Sequence, residues 1–122
     1  MYQKLILIGN IGTDAELRYT PEGLPVSTFT LATSKILSKT KDETCWFRVT
    51  LFGKRAEVLN NYLLKGASVM VEGRLKPGEG GNPRVYQRKD GTWSASFDVT
   101  ASDVEFVGNK KGEVAPDIDV AF

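Results

Sequence analysis

The alternation of apolar and polar positions is sharpest over residues 46–54, Trp46-Phe47-Arg48-Val49-Thr50-Leu51-Phe52-Gly53-Lys54. In a β-strand successive side chains point to opposite faces. One face then carries Phe47, Val49, Leu51 and Gly53 and needs a core. The other carries Trp46, Arg48, Thr50, Phe52 and Lys54. Large rings among positive charges are poor core material, and they suit base stacking with phosphate neutralisation. Trp46 and Phe52 are six residues apart, about 20 Å along a strand at ~3.3 Å per residue, a span for several nucleotides. A second reading has another sheet or a partner subunit cover this face, with the charges at its rim. The strand alone leaves both readings open.

The remaining periodicity predicts a small barrel. Lys4 to Asn10 is a first strand, and its continuous run Leu5-Ile6-Leu7-Ile8 predicts burial on both faces. Gly9 and Gly12 mark a bend or bulge, Glu16 to Tyr19 continues the strand in a new direction, and Thr20 to Gly23 is a turn. Val26 to Thr33 is a second strand with Phe29 and Leu31 on one face. Residues 34–43 are polar, carry Lys35, Lys39 and Lys41, and read as a basic hairpin loop; a solvated loop is the commoner meaning of such a charge run. The third strand is the alternating one. Lys54 to Lys65 is a helix with Ala56, Leu59 and Leu63 at i, i+3 and i+7, stopped by Lys65 and Gly66. It serves as the plug of a barrel end.

Ser68 to Leu75 is a fourth strand. Arg84 to Lys89 and Thr92 to Phe97 flank Asp90-Gly91, which predicts a hairpin with a two-residue loop. That register sets Arg88 opposite Trp93 and Tyr86 opposite Ala95, with Arg84, Tyr86, Arg88 and Trp93 on one face. A cross-strand packing pair with an Arg–Trp cation–π contact accounts for this face as well as base contact does; base contact is preferred because the opening pattern repeats. Asp98 to Val107 closes the sheet. Phe97, Val99 and Ala101 share one phase and Val104 and Phe106 the other, so a bulge is expected near Ser102. From Asn109 onward periodicity stops, which predicts a disordered tail. The expectation is all-β: a five-stranded OB-fold barrel at residues 1–108, one α-helix between strands 3 and 4, an extended β-hairpin, and a tail at 109–122.

Composition narrows the function. The 122 residues include no histidine and one cysteine, Cys45. Histidine-based triads and Cys/His metal clusters are therefore excluded, no paired carboxylates form an acid–base motif, and an enzyme is not expected. Gly78, Gly80 and Gly81 sit in a polar loop that matches no phosphate-binding turn. No disulfide is possible within the chain, and Cys45 reads as a half-buried filler. The start lacks a signal peptide's apolar core, and no apolar run reaches a membrane span, so action in the cytoplasm is expected. There are 16 Lys and Arg against 15 Asp and Glu. Residues 113–122 hold three of the acids and none of the bases, so residues 1–112 carry +4 and residues 113–122 carry −3. A basic body with an acidic tail fits a nucleic-acid binder.

The residues that carry a family likeness are Lys4-Leu5-Ile6-Leu7-Ile8-Gly9-Asn10-Ile11-Gly12, Glu16-Leu17-Arg18-Tyr19, Phe29-Thr30-Leu31-Ala32-Thr33-Ser34 and Trp46 through Lys54. Ala56-Glu57-Val58, Tyr62-Leu63-Leu64-Lys65-Gly66 and Val71-Glu72-Gly73-Arg74-Leu75 complete them. In this order and spacing, over roughly residues 1–108, the chain resembles the bacterial-type single-stranded DNA-binding protein family. The resemblance implies sequence-independent binding of single-stranded DNA in replication, recombination and repair, without a cofactor or small-molecule substrate. It implies that Trp46 and Phe52 stack bases, and that Arg48 and Lys54 contact the strand's backbone. A family stacking Trp falls at Leu37 and a later one near Tyr86, while Trp93 lies where the family usually has none. Leu37 removes one expected stack, and Tyr86, Trp93, Arg88, Lys35, Arg74 and Lys76 complete the candidate binding set. The resemblance further implies a homotetramer, a nucleoid-associated location, and a C-terminal tip, Asp117-Ile118-Asp119-Val120-Ala121-Phe122, that docks replication and repair proteins. An RNA-binding module of the same fold, or a protein-interaction subunit with its aromatic face buried, are the alternatives.

Overall fold

The computed structural model describes residues 2–38 and 41–108, excepting the side chains of 35–38 and 41–42. Its strands are β1 (Leu5–Ile11), β2 (Glu16–Tyr19), β3 (Pro25–Ser38), β4 (Lys41–Phe52), β5 (Ser68–Leu75), β6 (Arg84–Gln87) and β7 (Trp93–Gly108). One helix, α1 (Lys54–Leu59), lies between β4 and β5. Among the described residues the hydrogen-bonded order is β1-β5-β7-β4-β3-β2, and β1 also pairs with β3. That last pairing closes β1, β5, β7, β4 and β3 into a barrel, which is the expected OB-fold. The barrel is not antiparallel throughout: β4 and β7 run parallel. β2 extends the sheet beyond β3, and β6 pairs with β7 as a projecting hairpin.

The core follows the inward phase of each strand. Val49 and Leu51 of β4, Phe29 and Leu31 of β3, Val69 and Val71 of β5, and Val99, Val104 and Phe106 of β7 are all buried. Phe47 belongs to this phase but lies at the barrel mouth, partly buried, with its ring 5.6 Å from that of Phe97. β1 changes partner at Asn10, which pairs with Ser68 of β5 and Ala32 of β3, and Gly9 stands immediately before it. A Cβ there would clash with the Ala32 carbonyl, so the close approach requires glycine. The bulge near Ser102 is present: Glu72 pairs with Asp103 and Gly73 with Ala101, leaving Ser102 unpaired. The extra residue turns both Ala101 and Val104 inward.

Four expectations change. Residues 34–43 are not a loop throughout, because β3 runs to Ser38 and β4 starts at Lys41. Beyond the barrel neither face needs a core, so the strands lose their hydrophobic alternation there; the Ser34 and Thr44 hydroxyls bond across them at 3.1 Å. The side chains of Lys35 and Leu37 lie outside the described residues. The helix ends at Leu59 and passes through a 3-10 turn, Asn60–Tyr62. Asn is a weak helix former, Asn60 accepts a bond from the buried Ser27 hydroxyl at 2.8 Å, and the Leu63 carbonyl accepts from the Ala15 amide. These tertiary bonds end the helix early. Gly66, at φ +93°, then turns the chain into β5.

The first strand is apolar on both faces but buried on one. Leu7 is 8% exposed, whereas Ile6 and Ile8 are 55% and 60% exposed. Finally, the β6–β7 register is one residue away from expectation. Gln87 pairs with Trp93, Tyr86 with Ser94, Val85 with Ala95 and Arg84 with Ser96. The loop holds three residues, Lys89 to Gly91: the Gly91 amide bonds the Arg88 carbonyl, the Arg88 amide bonds the Thr92 carbonyl, and Gly91 sits at φ +89°. This is a type I turn followed by a left-handed glycine. The Asp90 carboxylate accepts from the Thr92 hydroxyl and amide, at 2.6 and 2.9 Å. Those bonds hold its pKa below the ordinary value.

Candidate nucleic-acid interface

The outward face of β4 is assembled as its alternation requires. Trp46, Arg48, Phe52 and, at the start of α1, Lys54 are exposed, while Val49 and Leu51 between them are buried. Trp46 is 54% and Phe52 39% exposed, so each ring offers stacking area without leaving its strand. Across β3 the neighbours are short: Trp46 pairs with Ala32, Arg48 with Thr30 and Thr50 with Thr28. Small partners leave the Trp46 and Arg48 side chains open above the sheet.

The Trp46 ring is seated on Gly12. A Cβ on Gly12 would fall within the van der Waals radius of the ring, and also touch the Thr30 hydroxyl. Gly12 is anchored by its amide to the Thr30 carbonyl at 2.9 Å. Gly12→Ala is expected to lift the ring and weaken oligo(dT) binding about fivefold, a partial loss of one stack. Affinity titration beside a thermal melt checks this. Wild-type affinity with a wild-type Trp emission spectrum would rule it out.

The face continues from β4 onto the hairpin. Arg48 pairs with Asp98 of β7, Asp98 binds Arg84, and the Arg84 guanidinium lies 4.7 Å from the centre of the Tyr86 ring. Arg88 reaches the Ser94 hydroxyl at 3.1 Å. Arg84, Tyr86 and Arg88 therefore share one side of the hairpin, with Ser94, Ser96 and Asp98. Trp93 does not join them. A one-residue change of register moves side chains to the other face, and Trp93, 70% exposed, falls with Val85, Gln87, Ala95 and Phe97. That side carries no charge. Arg74 and Lys76 are exposed at the end of β5, and Arg74 pairs with Thr100 one strand from β4.

Local bonds tune two tyrosines. The Tyr86 hydroxyl is held below its ordinary pKa of 10.0, first by its bond with Ser94 and then by Arg88 and the charge of Arg84. Tyr19 donates to Glu57 at 3.0 Å, which raises its pKa. In an alkaline titration followed by phenolate absorbance, one tyrosine should ionise early and one late. Tyr86→Phe should remove the early component and Tyr19→Phe the late one. An early component that survives Tyr86→Phe would reject the assigned bonds.

Among the described residues no group of three or more His, Cys, Asp or Glu is placed to hold a metal ion, and no helix is long and apolar enough to cross a membrane. Cys45 is half-buried and free. Sequence reading missed Gly12 as the seat of Trp46, whose signal is only a glycine in a bend. It also missed Asp98, which the misassigned register separated from Arg84.

The model of the single-strand binding protein family matches residues 2–107. Two curated relatives, single-stranded DNA-binding proteins of Neisseria meningitidis serogroup A and serogroup B, are each 36% identical over 111 residues, covering 88% of this chain. The chain spans about 60% of the length of those relatives. With the family model matching nearly all of the described barrel, the chain belongs to the single-strand binding protein family.

Proposed function

We propose that this protein binds single-stranded DNA without reading its sequence, acting as a coat rather than a catalyst. One observation carries the reading: Trp46, Arg48 and Phe52 of β4 and Lys54 at the start of α1 stand exposed in a row and continue to Arg84, Tyr86 and Arg88. Every base has a π-face, so stacking on Trp46, Phe52 and Tyr86 is indifferent to sequence, and Arg48 and Lys54 neutralise phosphates. Arg74 and Lys76 extend the basic path. Paired bases do not offer their faces, so duplex DNA binds poorly. Trp93, on the uncharged side of the hairpin, is left out of the track.

Residues 1–108 form the strand-binding domain. Residues 109–122 act as an acidic tail whose tip, Asp117 to Phe122, recruits replication and repair enzymes at the nucleoid. The protein works as a homotetramer. β1 supports this: over residues 5–9 it pairs with β5 on one edge, and its other edge has no partner among the described residues. Ile6 and Ile8 are exposed beside that edge, an arrangement suited to strand pairing with a second copy.

A competition experiment tests the function. A labelled oligo(dT) is bound, then displaced by unlabelled single-stranded DNA, duplex DNA or RNA of equal length. The single strand should displace it well, at concentrations that rise steeply with salt, and the duplex should not. Equal displacement by duplex would overturn the proposal. Preferential displacement by RNA would move it to an RNA-binding module of the same fold.

A further inference from the structure

Asp98 is a carboxylate on a face proposed to bind a polyanion. Its side chain is only 11% exposed, and both oxygens are engaged. Oδ2 accepts from Arg84 Nε at 2.8 Å, and Oδ1 accepts from the Ser96 hydroxyl at 2.6 Å. Strand pairing fixes all three, since Arg84 is opposite Ser96 and Asp98 is opposite Arg48. The guanidinium is thereby held over one face of Tyr86, 4.7 Å from the ring centre. Beyond the ring Arg88 reaches the Ser94 hydroxyl at 3.1 Å, and both groups lower the Tyr86 pKa.

The Asp98 carboxylate takes the Arg84 Nε–H and sets its negative charge against the guanidinium, which weakens the attraction of Arg84 for a phosphate. The pair is neutral, so it adds no counterion release when DNA binds. What it supplies is order: a fixed cation on one face of the ring leaves the other face as the surface for a base.

We infer that Asp98 is a positioning residue that holds Arg84 as a cap on Tyr86, making the hairpin a preassembled stacking surface and not a phosphate contact. This rests on the proposed reading of the face as a track for single strands.

The test uses the 122-residue chain and a labelled oligo(dT), with affinity measured over a NaCl series and folding followed by circular dichroism and thermal melting. Asp98→Asn releases Arg84 to a phosphate, so the slope of log K against log salt should steepen by about 0.7. The double variant Asp98→Asn/Arg84→Gln removes the pair and stays neutral. It should keep the wild-type slope and bind about two- to fivefold more weakly. Arg84→Lys keeps the ion pair, and therefore the local fold, but not the planar cap; it should match the double variant in slope and affinity. A double variant whose slope is shallower by about 0.7 would mean that Arg84 already binds phosphate, and would overturn the inference. So would wild-type affinity in Arg84→Lys, or an unchanged slope in Asp98→Asn. In each of these cases wild-type binding stands and only the positioning role fails. A wild-type chain that ignores oligo(dT) at low salt overturns the functional reading, and this inference with it.

Discussion

Trp46→Ala is expected to weaken binding to oligo(dT) by about 1–3 kcal/mol, a loss of roughly 5- to 150-fold. Trp46 is the larger of the two outward rings on β4, it is 54% exposed, and Gly12 beneath holds it on the sheet. Removing it deletes the proposed stacking surface, which Gly12 holds oriented before DNA arrives. Its neighbours do not replace it, because Ala32 and Thr30 alongside are too small. The salt slope should not change, since no cation is lost. Trp93→Ala is the matched control: it also removes an exposed tryptophan, but from the uncharged side of the hairpin. Fluorescence anisotropy on the same oligomer compares them. Similar losses in both variants would place the strand across the hairpin's other face and contradict the assignment.

The second large effect is on stability. Phe106→Ala should destabilise the fold by about 3–5 kcal/mol. Phe106 is 2% exposed, on the far side of the Ser102 bulge, and packs in the core with Val69 and Val104. Its loss leaves a cavity bordered by strands that close the barrel and cannot move independently. Against a typical total of about 5–15 kcal/mol, this is a large share. Urea denaturation reads it as a lower midpoint with an unchanged slope. A shift below about 1 kcal/mol would show that the barrel relaxes around the gap, and that the core is less tightly coupled than its burial implies.

The β4 strand was legible because both of its faces are spoken for, one by the core and one by rings and cations. The Ser102 bulge was legible for a related reason, since Ala101 and Val104 belong to opposite phases and both need burial. Where no core constrains the chain, the sequence is mute. Residues 34–38 and 41–43 form strand and not merely loop, because their pairing continues past the barrel with no apolar alternation to mark it. Ile6 and Ile8 show the converse. An apolar side chain signals that it wants cover, and does not say whether its own chain supplies it.

The hairpin was misread on one point of turn chemistry. Asp-Gly fits a two-residue loop and, equally, the end of a three-residue loop with glycine at positive φ. The choice between them moves Trp93 from one face to the other. The helix was overestimated because Leu63 fits its periodicity, although the chain reaches that buried position by leaving the helix. The Arg84–Asp98 pair was hidden by the same register, and no motif announces it.

The central claim is that the outward face of β4 stacks bases. The chain has two tryptophans, so a Trp93→Phe variant reports Trp46 alone. Its intrinsic fluorescence should be strongly quenched on titration with oligo(dT), saturate at a defined ratio of nucleotides to chains, and recover as NaCl is raised. Unquenched fluorescence at low salt, with binding confirmed by anisotropy in the same solution, would mean that DNA does not touch this face.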